Sequence, residues 1–313
     1  MASERITLIN PLGTTLAHYA EALVDLLELA GAEPIVRSIA EPSASESGRT
    51  AWIADHLRSL RSARHERTLL IWPALGWHDR TLLAAMGSPR SSLVLHDPSP
   101  LVRHVGYGPV ARSLAANLGR HVELIVHGDS AASALPARFE PTLLPHPIRP
   151  PRPPKGPPAT TPLCIRVLGR YKSSRDLGAL AEVAEAHAEA RLEVVGRDWP
   201  PIPGWHVVDH FQQEDEFDAL IASSSLIMIP YRRFYQSGVA VRALEHGVPV
   251  VGPRGTWLDA LLGSGSGWLV DGPGSWVGAI TRALDHDAPR QAVQRATDLH
   301  AEAVRAWTGW LAR

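Results

Sequence analysis

The chain has 313 residues, with 31 Lys and Arg against 32 Asp and Glu, a net charge of −1. The length sets an expectation of about two domains. Near neutrality argues against a nucleic-acid binder that works by counterion release, and 45% hydrophobic with 20% charged residues argues against a disordered chain. Proline is the uneven feature: 10 of the 27 prolines fall between residues 141 and 162. Proline fixes φ and lacks an N–H, so the cluster reads as a stiff strap between two halves. No apolar run approaches the roughly 18 residues of a membrane span, and MASERITLIN has neither the basic nor the apolar region of a secretory signal. The one cysteine, Cys164, lies in the apolar run LCIRVL and reads as a small buried hydrophobe. It can form no internal disulfide, which fits a reducing cytoplasm.

In chain order, RITLI (5–9) reads as a buried strand. LAHYAEALVDLLELAG then carries Leu16, Tyr19, Ala20, Leu23, Leu26 and Leu27 at helical spacing and stops at Gly31. EPIVRSI, TLLIW (68–72), SSLVLH (91–96) and VELIVH (122–127) are further strands separated by helix-compatible stretches. After the strap IRPPRPPKGPPATTP, LCIRVLG (163–169) is a strand and 175–190 a helix. RLEVVG, WHVVD and SLIMIPY follow as strands, with EDEFDALIASS a helix before the last. VAVRALEHG is a helix stopped at Gly247, VPVVG and SGWLV are strands, and 273–284 and 289–312 are helices. The alternation implies βαβ units and a parallel sheet in each half. Ligands of such sheets bind beyond the carboxyl ends of the strands, so the residues just after each strand are the candidates.

Two stretches stand out there. In PYRRFYQSGVAVRALEHGVPVVG (230–252), Gln236, Ser237 and Gly238 open a helix after a strand. The segment reads either as a simple N-cap by Ser237 or as an anion site of exposed N–H groups, with Gly238 allowing close approach. In LGRYKSSRDL (168–177), Arg170, Lys172 and Arg175 crowd a helix start, where the dipole disfavours cations. They read as solvated surface charge or as partners of a bound anion. Together the stretches describe a diphosphate clamp.

Through GR…K/R, VVG and PY…SG…LEHGVPVVG the chain resembles the GT-B glycosyltransferases, most closely the retaining family-4 type. The resemblance covers Leu163 to Trp276 well, and the first half only through NPLGTT, LHDPSP and LLPHPI. It implies two doubly wound α/β Rossmann-like domains facing across a cleft: 1–147 on the acceptor side, 148–162 as linker, 163–288 holding the nucleotide-sugar donor, and 289–313 as a terminal helix returning to the first domain. By that resemblance Arg170, and Lys172 or Arg175, contact the diphosphate. Ser237, Gly238 and Val239 offer it backbone N–H groups, and Gly13 and Thr14 approach it from the other domain. His96 serves at the transferred sugar as the catalytic-site histidine, with Tyr235 and Gln236 also at the sugar. Gly196, Arg197, Asp209 and His210 lie at the nucleoside. Where the family has two glutamates eight positions apart, this chain has Phe234 and Arg242. Glu245, one helical turn after Arg242, is placed to serve the ribose instead.

The 15 histidines show no metal-ligand spacing. His96-Asp97 and His127-Gly128-Asp129-Ser130 follow strands. His96 reads as a satisfied strand-end histidine or as a hydrogen-bonding group for sugar or acceptor, and Asp129 and Ser130 as an N-cap. Asp285-His286-Asp287 reads as a solvated turn, and Trp307 and Trp310 as one packed face of the terminal helix. The expected activity is metal-independent hexosyl transfer from a nucleoside-diphosphate sugar to a small-molecule or glycoside acceptor, with retention. It needs no cofactor besides the donor and involves no nucleic acid and no integral membrane association. The alternatives are a non-catalytic nucleotide-sugar binder and a sugar-nucleotide epimerase on the same fold.

Overall fold

The computed structural model describes residues 4–42, 48–99, 106–152, 163–210 and 212–313. Most of the proline-rich strap, 153–162, lies outside the described residues. The chain divides into two compact units, Met1–Pro147 with Glu302–Arg313, and Ile148–Ala301.

Unit 1 runs β1 (Glu4–Asn10), α1 (Ala17–Leu29), β2 (Ala32–Ser38), α2 (Arg49–Ser62), β3 (Arg67–Leu70), α3 (Trp77–Met86), β4 (Ser91–Val94), α4 (Pro109–Leu118), β5 (Glu123–Val126), α5 (Asp129–Ser133) and β6 (Thr142–Leu143). All its strand pairs are parallel, in the order β2-β1-β3-β4-β5-β6. Strands covered on both faces read as unbroken apolar runs. The last five residues of β1 and all of β4 are buried accordingly. The order reverses between β1 and β3, which opens a crevice at their carboxyl ends.

Unit 2 runs β7 (Cys164–Leu168), α6 (Leu177–Ala186), β8 (Arg191–Val195), β9 (His206–Val208), α7 (Glu214–Ala222), β10 (Leu226–Met228), α8 (Gly238–Glu245), β11 (Val250–Pro253), α9 (Leu258–Leu262), β12 (Leu269–Val270), α10 (Trp276–Ala283) and α11 (Ala288–Leu311). Its parallel sheet has the order β12-β11-β10-β7-β8-β9. The reversal here lies between β7 and β10, so the loops after those two strands share one crevice. Across the centre of this sheet Arg166 pairs with Glu193 at 2.6 Å and donates to Leu220 O at 2.7 Å. Burial alone would raise the Glu193 carboxyl pKa, but hydrogen bonds and charge from Arg166 and Arg191 outweigh it and hold it below its ordinary value. Among the described residues, no helix is long and apolar enough to cross a membrane.

The elements differ from the sequence reading at several ends. α6 is ten residues, Leu177–Ala186, and not a helix from 175 to 190, because Asp176 caps its start by accepting Gly178 N–H at 3.1 Å and His187 N–H closes its end on Val183 O. The N-cap of α5 is Gly128, not Asp129 or Ser130, and Asp129 is its first helical residue. β6 and α9 are too short to leave a periodic signal. Asp287 N–H bonds Asp285 Oδ1 at 3.0 Å, a local turn between α10 and α11.

The residues of α11 from Glu302 onward belong to unit 1. Ala303, Trp307 and Trp310 join Leu8, Leu23, Leu27 and Ile125 in its core. Trp307 Nε1 donates to Pro145 O at 3.1 Å, and Trp310 Nε1 to Glu123 Oε2 at 2.8 Å. The Arg67 guanidinium lies 4.0 Å above the Trp310 ring and donates to the Trp310 and Leu311 carbonyls, both at 3.1 Å. It thereby satisfies the open carbonyls at the helix end. Trp307→Ala should therefore destabilise unit 1 by about 3–5 kcal/mol. The exposed Leu29→Ala should change stability by less than about 0.5 kcal/mol. Urea titrations of both variants followed by near-ultraviolet circular dichroism check the pair.

Candidate functional site

The strongest local geometry is at the β7–β10 crevice of unit 2. Gly169, with φ of +96°, turns the chain away from β7. The following loop is stitched to the loop after β10: Asp176 N–H donates to Pro230 O at 2.7 Å, Arg232 N–H to Ser174 O at 2.9 Å, and Arg175 bridges Tyr231 antiparallel. The side chain of Arg175 turns inward. It is 3% exposed, its guanidinium lies 3.9 Å from the Tyr231 ring centroid and 5.0 Å from that of Trp199, and Nη2 donates to Leu168 O at 2.8 Å. Burial lowers its pKa, and Tyr231 partly offsets the shift. Arg175 thus fastens the end of β7, whereas Arg170 and Lys172 stay exposed at the rim.

The loop after β8 completes the crevice. A Cβ on Gly196, which has φ of +153°, would stand 2.3 Å from Gly169 O, so only glycine lets the two strand ends meet. Tyr171 N–H donates to Arg197 O at 2.9 Å, and Trp199 Nε1 to Gly169 O at 2.7 Å. Asp198, the one non-glycine at positive φ (+66°) among the described residues, holds Arg170 Nε at 2.5 Å and donates its own N–H to Asp209 Oδ1 at 3.2 Å. Arg170, Gly196, Arg197 and Asp209 are therefore gathered in one place. His210 lies nearby in sequence, paired with Glu216 at 3.4 Å. Asp198 and Trp199 carried no signal in the sequence beyond standing after a strand.

α8 opens on the same crevice because it follows the β10 loop. Ser237 is its N-cap, accepting Ala240 N–H at 3.3 Å. The N–H groups of Gly238 and Val239 are helix-start donors with no intrahelical acceptor. Gly238 is exposed, and a Cβ there would meet nothing within 4 Å. Tyr235 is buried and Gln236 half-buried.

The other end of α8 departs from expectation. Glu245 is 3% exposed; Oε1 accepts Arg149 N–H at 2.8 Å, and its carbonyl accepts Arg152 N–H at 2.8 Å. That carboxylate anchors the start of the strap, and the ribose role expected for it has no support in this geometry. Arg242 is buried too, held by Glu214 at 2.7 Å and by Asp218 at 2.6 Å, with its guanidinium 4.8 Å from the Phe217 ring. Burial would raise the Asp218 carboxyl, but Arg242 and His246 prevail and lower it. Phe234 is a core residue of the unit beside Tyr231.

In unit 1 the loop after β1 is rigidly held. Gly13 N–H donates to Ile39 O at 3.0 Å, a Cβ on Gly13 would come 2.9 Å from that oxygen, and Glu41 takes Thr15 N–H at 2.6 Å. Thr14 is exposed on it. Along the same sheet edge, His96 Nε2 contacts Ile71 O at 2.7 Å, His127 Nδ1 contacts Leu144 O at 3.0 Å, and His146 Nδ1 contacts Pro147 O at 2.7 Å. Each carbonyl can only accept, so it assigns the ring proton to the nitrogen that faces it. His127 Nε2 then accepts the Tyr19 hydroxyl hydrogen at 2.8 Å. The sequence marked His96 and His127 as strand-end residues, but not that His146 and Tyr19 meet them. Among the described residues, no group of three His, Cys, Asp or Glu side chains could hold a metal ion.

Burial, reinforced by neighbouring imidazoles, pushes His127 well below the ordinary imidazole value and His146 to about 3. Both rings are less basic folded than unfolded, where imidazole titrates near about 6.5. The stability they lend is complete above that pH and is lost as pH falls toward about 3, because only the unfolded chain takes up the protons. The urea midpoint of unit 1 should drop between pH 7 and pH 5, and His146→Gln should make the drop shallower. An identical drop in that variant would deny His146 any part in it.

Comparison with known proteins gives a fold and not a sequence family. No protein-family model and no curated protein matches the sequence. Among solved structures, the chain is similar to a sucrose-phosphate synthase from Thermosynechococcus elongatus, at a TM-score of 0.70 and 14% identity over 99% of this chain and 98% of that one. It is also similar to an α,α-trehalose-phosphate synthase (UDP-forming) from Burkholderia xenovorans in complex with glucose-6-phosphate, at 0.65 and 14% over 99% of both chains. A trehalose-6-phosphate structure from E. coli bound with UDP-2-fluoro glucose aligns at 0.62 and 13% over 99% and 98%. The glycosyltransferase SnogD from Streptomyces nogalater aligns at 0.51 and 20% over 99% of both chains. At these identities the likeness establishes architecture: the chain has the GT-B fold, with two doubly wound parallel sheets and interleaved helices.

Proposed function

We propose that the protein is a glycosyltransferase that takes a sugar from a nucleoside-diphosphate donor held by unit 2 and passes it to a small acceptor, with retention. The observation that carries this reading is the convergence of Arg170 and the open start of α8 on the crevice where the strand order of unit 2 reverses. Support comes from similar GT-B structures that are glycosyltransferases, one described as bound with UDP-2-fluoro glucose.

The chemistry follows from charge. As the bond to the anomeric carbon breaks, negative charge gathers on the departing diphosphate. The guanidinium of Arg170, with Lys172 beside it in the chain, and the N–H groups of Gly238 and Val239 supply preorganised positive ends where that charge develops. In this scheme no metal ion is needed to meet it. Gly196, Arg197, Asp209 and His210 are the nucleoside side of the crevice, and Gln236 and Tyr235 the sugar side. Ser237, Gly238 and Val239 at the start of α8 include no carboxylate that could attack the sugar. In this reading the acceptor oxygen attacks on the face the diphosphate leaves, its proton passes to a phosphate oxygen, and the anomeric configuration is retained. His96 hydrogen-bonds sugar or acceptor. Ile71 O places its ring proton on Nε2. A single buried cysteine suits a reducing compartment, and we place the protein in the cytoplasm.

A thermal-shift panel of UDP-, GDP- and TDP-sugars should show stabilisation by one nucleotide class, since a ligand that binds only the folded state raises its stability. Arg170→Ala should weaken that ligand by about 1.5–3 kcal/mol, the scale of a charge-assisted hydrogen bond. Release of free nucleoside diphosphate with an acceptor separates transfer from mere binding. Response to none of the three nucleotides would sink the donor assignment.

A further inference from the structure

We infer that Asp198 is an exchangeable counter-ion for Arg170: a bound diphosphate displaces it, and its return to the guanidinium helps release the product. The role rests on the reading of unit 2 as the donor-binding unit, and it adds a residue that tunes how tightly the diphosphate is held.

An uncommon piece of main chain places the carboxylate. Asp198, with φ of +66°, is the one non-glycine at positive φ among the described residues. That region is unfavourable for most side chains, and a residue held there in a binding loop points to a use for its side chain. Its neighbours on both sides are tied down. Arg197 O accepts Tyr171 N–H at 2.9 Å, and the buried Trp199 donates Nε1 to Gly169 O at 2.7 Å. Asp198 N–H itself is held by Asp209 Oδ1 at 3.2 Å. The loop after β8 therefore presents this carboxylate beside the residue that follows Gly169, which is Arg170. There Asp198 Oδ2 accepts from Arg170 Nε at 2.5 Å.

The pair is suited to exchange. Arg170 is 68% exposed and Asp198 54%, and an ion pair in such contact with water is weak. Arg166 and Glu193, in the same sheet, form the opposite case, each 4% exposed and permanently joined. A guanidinium presents its N–H groups as a fork that a phosphate takes two at a time, and Asp198 occupies the Nε prong. A diphosphate beside Arg170 also repels the carboxylate, so the two anions compete for one cation. After sugar transfer the departing diphosphate carries more charge than the donor did, and Arg170 holds it more strongly. A carboxylate waiting at the same guanidinium offsets that gain, and product release limits turnover in many enzymes. Asparagine tolerates positive φ as aspartate does, so Asp198→Asn removes the charge and keeps the backbone.

The test is titration of the full chain with inorganic pyrophosphate and with UDP, GDP and TDP, read by calorimetry and by NMR of isotope-labelled arginine Nε–H groups. Asp198→Asn should bind pyrophosphate and the preferred nucleotide about three- to tenfold more tightly than the parent, the scale of one exposed ion pair. Asp198→Gly, which also suits positive φ, should do the same, and it decides the matter if circular dichroism shows the Asn variant unfolded. In an Arg170→Ala background, Asp198→Asn should change affinity by no more than about twofold, because its effect passes through the guanidinium. The Arg170 Nε–H signal, identified by its loss in Arg170→Ala, should shift when ligand saturates the parent, a readout that needs no Asp198 variant. Weaker or unchanged binding in a folded Asp198 variant, an equal gain in the Arg170→Ala background, or an Nε–H signal that ignores the ligand would overturn the inference. A chain that binds a nucleotide but shows no gain on loss of Asp198 loses only the exchange. A chain that shows the expected pattern with pyrophosphate but binds none of the nucleotides keeps the exchange and loses the donor reading. Binding of neither removes both.

Discussion

A buried guanidinium holds the candidate donor crevice together. Arg175 lies against Tyr231 and Trp199 and donates to the last carbonyl of β7, so three loops that follow three different strands are fixed about one cation. Parallel strands end in loops with no hairpin to join them, and something must fix their relative positions. Here it is one desolvated charge lying on aromatic faces, an arrangement that favours arginine over lysine because the planar guanidinium can pack on a ring and hydrogen-bond at its edge. The exposed Arg170 is free of that structural duty, and its nearest restraint is Asp198 at the solvent surface.

The opposite end of α8 shows how a sequence can keep a fold while reassigning its polar residues. Arg242 turns toward Glu214 and Asp218 of α7, and Glu245 accepts the main chain at Arg149. Both side chains are buried, and a buried charge persists only when it is paired or hydrogen-bonded. The two therefore fasten α8 to its surroundings.

The two sheet edges divide the chemistry. The crevice of unit 2 offers cationic rim groups and open N–H donors, suited to an anion. The edge of unit 1 gathers a phenol and three imidazoles, and burial keeps two of those imidazoles, His127 and His146, neutral. The crevice of unit 2 sits where its sheet reverses strand order, whereas His96, His127 and His146 follow the successive strands β4, β5 and β6 of unit 1.

Much of the architecture was legible in the chain, because strands buried on both faces are continuous apolar runs and helices carry a 3.6-residue period. The helix start at Ser237 was legible as well, since a serine there answers a local backbone demand. Short elements such as β6 and α9 were not, having too few residues to show a period. Nor was the direction of a long side chain: Arg170 and Arg175 are five residues apart, yet one lies at the surface and the other beneath Tyr231. The sequence by itself determined the alternation of elements, two parallel sheets and the loops in which any chemistry must lie. Only the tertiary structure decided which arginine is buried, which main-chain groups the Glu245 carboxylate accepts, and that Tyr19, His96, His127 and His146 meet. Those outcomes depend on contacts between residues distant in the chain, and local propensity and periodicity carry no record of them.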